Sequence, residues 1–141
     1  MVSGRLAALR LAVPALAMVA LAGCEAAQKA QDVGQGVDKA RQCAGLVQEL
    51  TGLDLSPGAV ARTAGRAEEV ARNLDDRARD VDQAEVRQAA ENLADRIQRL
   101  ADTAASSTPA QRQRAVRDVT QAATRLASAC NVPVDQLINT G

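Results

Sequence analysis

The chain is 141 residues long, one domain's worth, and its 17 basic and 17 acidic groups cancel, so no net field recruits nucleic acid or steers an anionic substrate. It holds no histidine and no aromatic residue, which excludes imidazole-bound zinc, Ser-His and Cys-His nucleophiles, base-stacking platforms and the aromatic floors of sugar clefts. Its 31 alanines exceed the 30 Val, Leu and Ile residues, eight of which precede residue 24, so the core is thin.

The N-terminus reads as a targeting segment. Arg5 and Arg10 stand without an acid in residues 1–10, residues 11–22 form the apolar run LAVPALAMVALA, and Gly23-Cys24 follows. Twelve apolar residues interrupted by Pro14 fall short of the roughly 20 that span a bilayer. Leu21-Ala22-Gly23-Cys24 resembles the lipobox of bacterial lipoproteins, a likeness confined to residues 1–24. The resemblance implies that Cys24 takes a diacylglyceryl group on its thiol and that the signal peptide, 1–23, is removed ahead of it. It also implies acylation (palmitate) of the new N-terminus, with the lipid anchoring the chain outside the cytoplasm. The alternatives are plain secretion, with cleavage near Ala22 or Gly23, or a retained helix. Glu25 stands where an aspartate would favour the inner membrane of a diderm cell, so the outer face of the cytoplasmic membrane and the outer membrane both stay open.

Residues 24–36 follow as the lipidated cysteine and a polar spacer or frayed helix start, and 37–141 as a helical domain. Ser56-Pro57 offers an N-cap hydroxyl with proline at N1, Asp82 an acceptor with Glu85 three residues on, and Thr108-Pro109-Ala110-Gln111 a capping box. These predict helices starting near 57, 83 and 109. Gly52 and Pro133 mark stops after Leu50 and Cys130. Apolar stripes agree: Val33, Val37, Ala40, Ala44, Val47 in the first helix, and Val60, Ala67, Leu74, Val81 in the second. Val86, Leu93, Ile97, Leu100 follow in the third, and Val116, Val119, Ala123, Leu126, Cys130 in the fourth. The expectation is an all-α, up-and-down four-helix bundle over about 37–50, 57–80, 83–105 and 109–130, with a short turn at Val134–Asn139. Six i,i+4 pairs, Glu68-Arg72, Arg72-Asp76, Asp75-Arg79, Arg87-Glu91, Asp95-Arg99 and Arg114-Asp118, lie on its outer faces.

With Cys24 lipidated, Cys43 and Cys130 remain, an even number in an exported chain, and a disulfide between them is expected. Two buried thiols or a redox pair are the alternatives, without the C-x-x-C spacing a redox pair commonly uses. Closing a loop of about 88 residues stabilises by roughly 4.5 kcal/mol in the chain-entropy model. Helix one is too short to bring Cys43 level with Cys130 unless residues 51–56 run along the bundle, with Leu53 and Leu55 packed against it.

Function is legible only as a class. The leading expectation is a non-enzymatic, lipid-anchored interaction module without cofactor or metal, its oligomeric state open. Helix four carries Arg112, Arg114, Arg117 and Arg125 against Asp118, net +3, a face for an anionic wall polymer, lipid headgroups or an acidic envelope protein. A solvated face offsetting the acidic helices is the plainer meaning. The other class is an envelope-structural lipoprotein touching the cell wall non-covalently, since residues 139–141 read Asn-Thr-Gly rather than ending in the lysine of covalently wall-linked lipoproteins. Catalysis would have to use Glu68-Glu69, Asp75-Asp76 or Asp80 and Asp82, carboxylates that neighbouring arginines keep ionised, and a calcium site at Asp80 and Asp82 lacks further oxygens. The segment beyond residue 24 is similar in composition to small helical lipoproteins of GC-rich bacteria, a likeness that implies no activity.

Overall fold

The computed structural model describes residues 22–56 and 58–138, with side chains from Gly34 onward apart from that of Gln136. The signal peptide expected at 1–23 therefore lies almost wholly outside the described residues, as does the side chain of Cys24. The chain divides into two compact units, Met1–Gln35 and Gly36–Gly141. In the first, the described residues open helix α1, which is bounded Ala22–Leu50, so the spacer expected at 24–36 is helical.

The second unit holds the rest of α1, then α2 (Ala64–Arg79), α3 (Ala84–Ala104), α4 (Pro109–Cys130) and a 3-10 turn at Val134–Gln136. Four helices pack together with no strand among the described residues, the all-α bundle that the stripes predicted. The stripes of α2 and α3 are buried residue for residue: Ala67, Leu74 and Val81, then Val86, Leu93, Ile97 and Leu100. Each fully buried Leu, Ile or Val contributes about 1.5–3 kcal/mol, and the alanines between them let the helices approach closely. Leu53 and Leu55 are buried as well, so the connection after α1 does pack against the bundle. Gly52 opens that connection at φ +88°, a backbone conformation L side chains rarely adopt, and there glycine ends α1 cheaply.

The first helix departs from expectation. Its buried face is Cys43, Leu46 and Leu50, whereas Val37 is 45 % exposed and Ala40 and Ala44 face solvent. A one-residue shift of stripe turns a helix by about 100°. Two leucines and a disulfide sulfur bury more apolar surface than an alanine-valine stripe, so the rotation favours them. Two polar clasps hold this register. Gln42 and Asp82 exchange hydrogen bonds, Nε2 to Oδ2 at 2.9 Å and the Asp82 amide to Oε1 at 3.3 Å. Seven residues on, Glu49 accepts from Asn73 Nδ2 at 3.1 Å and from Arg77 Nε at 2.6 Å. Since 42 pairs with 82 and 49 with 73 and 77, α1 and α2 are antiparallel.

One helix start and one cap also differ. The second helix begins at Ala64 rather than near 57. Ser56 does open a turn, its carbonyl accepting from the Ala59 and Val60 amides, but the turn stops at Thr63 (φ −103°, ψ 10°). Thr63 spends its hydroxyl on the Ala59 carbonyl at 3.1 Å, a side-chain bond that competes with helix, and Gly58 and Gly65 each weaken propagation by about 1 kcal/mol. The third helix is flanked by Gln83, with no side-chain cap, because Asp82 is taken by Gln42. The fourth starts as predicted, with Thr108 and Gln111 bonded reciprocally at 3.3 and 2.8 Å. It ends in a Schellman motif, where Asn131 is left-handed at φ 55° and the Val132 amide reaches the Ala127 carbonyl at 3.0 Å.

Candidate functional site

The disulfide Cys43–Cys130 joins residues 87 apart in sequence, with Cα atoms 5.7 Å apart. Cys43 is buried, and Leu46 beside it continues the same face into the core. The bond ties α1, near the start of the second unit, to the last residue of α4. Clasped Gln42 and Asp82 lie at the same level, so one end of the bundle is fastened twice. The opposite end holds the turn of residues 56–63, the α3–α4 connection and the first turn of α4. Twenty-one residues, about 32 Å, separate Pro109 from Cys130 along α4.

The four arginines read as one face are split by the fold. Arg114, Arg117 and Arg125, with Gln121, follow one outward stripe, opposite buried Val119, Ala123 and Leu126. Among the described residues no carboxylate lies within ion-pair distance of these three. Asp118 instead approaches Arg96 of α3 at 3.9 Å, and the expected Arg114-Asp118 pair is not formed. Arg112 is half-buried on a different side, where its Nη1 donates to the Ser107 carbonyl at 2.7 Å.

There the fold leaves a groove of about 410 Å³ lined by Leu55, Val60, Pro109, Ala110, Arg112, Gln113 and Val116. Its origin is topological. Helix α1 stops at Leu50, so the first half of α4 faces Leu55 and Val60 of the α1–α2 connection rather than a helix. Val116 is left half-buried on the groove floor. A shallower recess of about 290 Å³ between α2 and α3 is lined by Ala71, Arg72, Asp75, Glu91, Ala94, Asp95 and Gln98.

Two of the three carboxylate clusters are ion-paired, and in the third Asp82 bonds to Gln42. Glu68 pairs with Arg72 at 2.6 Å, Glu69 with Arg66 at 3.2 Å, and Arg79 takes both Asp75 and Asp76. Among the described residues no three His, Cys, Asp or Glu side chains are placed to hold a metal ion. One carboxyl is shifted: the Ser56 amide and hydroxyl bonded to Asp54, aided by the Arg62 charge, hold it below its ordinary 3.8.

A family model described as a domain of unknown function, DUF8711, matches residues 37–131, about two thirds of the chain. The chain belongs to this family. The DUF8711 segment encloses both disulfide cysteines, all four helix-four arginines and the whole groove lining. No curated protein and no solved structure matches the chain. Within the DUF8711 segment, sequence reasoning found the disulfide cysteines, whereas the four arginines it grouped as one face stand on two sides of α4. It missed the groove, whose only sequence signal is that the first helix stops seven residues beyond Cys43 while the fourth runs 22 residues to Cys130.

Proposed function

We propose that this protein is a non-enzymatic lipoprotein, anchored through Cys24 on an extracytoplasmic membrane face, whose helical domain is an interaction module. The observation that carries the reading is the disulfide between Cys43 and Cys130, downstream of the Leu21-Ala22-Gly23-Cys24 motif. Such bonds persist in oxidising compartments, which is where a lipobox sends a chain. Two acyl chains or more make the anchor durable, since each buried CH2 contributes about 0.8 kcal/mol. Surface arginines and a groove fit binding rather than turnover, and Glu68, Glu69, Asp75 and Asp76 are held in ion pairs.

Cys24→Ala tests the anchor. The variant should leave the membrane fraction, retain its signal peptide and lose labelling by radioactive palmitate. An unmodified residue at position 23 or 25 as the native N-terminus, or a Cys24→Ala chain still processed and membrane-bound, would contradict it. The outward Arg114, Arg117 and Arg125 favour a second reading, an envelope-structural lipoprotein that holds an anionic wall polymer non-covalently. Salt-sensitive co-sedimentation with purified cell wall, lost in Arg114→Gln/Arg117→Gln/Arg125→Gln, would select it.

A further inference from the structure

We infer that the groove between Leu55 and Val60 on one side and the start of α4 on the other is the docking site of the module, and that its occupant is an acidic peptide segment of a partner protein bearing apolar side chains. The inference rests on the interaction-module reading and names the partner's chemistry. The groove floor is apolar, made by Leu55, Val60, Pro109 and Val116, and its volume of about 410 Å³ lies within the range of specific binding sites. Its polar lining is Arg112 and Gln113, and among the described residues no acidic side chain lines it. Arg117, exposed, follows Gln113 one turn along the same side of α4. Charge complementarity therefore calls for an anion. Arg112 keeps guanidinium hydrogens beyond the one given to Ser107.

Length selects a peptide over a lipid tail. From Pro109 to Val116 the groove floor extends about 10 Å along α4. Side chains two residues apart on an extended segment stand about 7 Å apart, so two of them fill that distance, with flanking carboxylates meeting Arg112 and Arg117. An extended long acyl chain would overrun it.

The experiment uses the full-length, disulfide-bonded chain in neutral-lipid nanodiscs. The probe is a short fluorescein-labelled peptide with two leucines two positions apart, flanked by aspartates, and binding is read by anisotropy. Saturable binding is expected, weakened roughly tenfold or more by Ala110→Trp, which fills the groove from an exposed position, and likewise by Gln113→Trp. Arg112→Gln should weaken it several-fold, whereas Arg125→Gln, far along α4, should not. Unchanged helicity and melting of the Trp variants would show that the fold is intact. No saturable binding, equal binding by a lysine-flanked peptide, or indifference to both Trp variants would overturn the inference. So would laurate displacing the peptide and binding in its place, which would make the groove a site for anionic amphiphiles. In cells, a photo-crosslinker at Gln113 should trap a partner that the probe peptide displaces. Crosslinks from exposed Gln88 but none from Gln113 would remove the groove while leaving the interaction module standing.

Discussion

Single residues in this protein are often engaged somewhere other than their local pattern suggests. Asp82 has the spacing of a helix cap, yet its carboxylate bonds across to Gln42 and fastens α1. Arg77 lies so close to Gly45 that a Cβ there would meet its Nη1 at 3.2 Å, and its Nε holds Glu49. Asp54 is the clearest case with a measurable sign. Its carboxylate accepts the Ser56 amide at 2.9 Å, so the ionised form is favoured in the folded chain and its titration is displaced below 3.8. A depressed folded value means that its contribution to stability is complete above the ordinary carboxyl range and is lost as pH falls through the folded value. Carbon-detected titration should place the Asp54 midpoint below 3.8, and Asp54→Asn should flatten part of the acid limb of the melting curve. A midpoint at or above the ordinary value would show that the turn does not hold the charge.

Among the helices, α4 is the best specified, with a complete capping box, proline at N1 and a Schellman end. Thr108→Ala should cost about 1 kcal/mol, and thus a few degrees of melting temperature, because the Gln111 amide loses its acceptor. Gln111→Ala should cost less, and an unchanged melting temperature for Thr108→Ala would show that the box does not stabilise the start of α4. The α4 bounds were legible in sequence for the same reason: proline and threonine act within one turn, where nothing remote competes. The α3 and α2 stripes were legible because their large apolar residues all sit on one face. The face of α1 was not, since Val37, Ala40, Ala44 and Val47 repeat as regularly as Cys43, Leu46 and Leu50, and only the size of leucine and the position of the disulfide partner choose between them. The start of α2 failed for a related reason, a good Ser-Pro signal overruled by two glycines and a threonine hydroxyl. For the candidate site, cysteine arithmetic found the disulfide, while the groove arises because α1 ends seven residues beyond Cys43, and it has no motif.

At the scale of the whole molecule, a thin, alanine-rich core is joined to one long-range covalent bond. The staple withdraws entropy from the unfolded chain by roughly 4.5 kcal/mol in the simple model, more than any cap or surface pair supplies. Reduction should therefore lower the melting temperature sharply, and Cys43→Ser, Cys130→Ser and the double change should cost the same, since either alone abolishes the link. A reduced chain melting as high as the oxidised one would show that the packed helices suffice. The bond also decides where tension travels. If the two chain ends are pulled apart, load entering along α1 reaches Cys43, crosses to Cys130 and leaves through the C-terminal residues, so the 86 residues between them bear none of it. Some 300 Å of extensible chain is thereby taken out of the line of force. A domain built this way can be tugged at its ends without its helices being drawn out one after another.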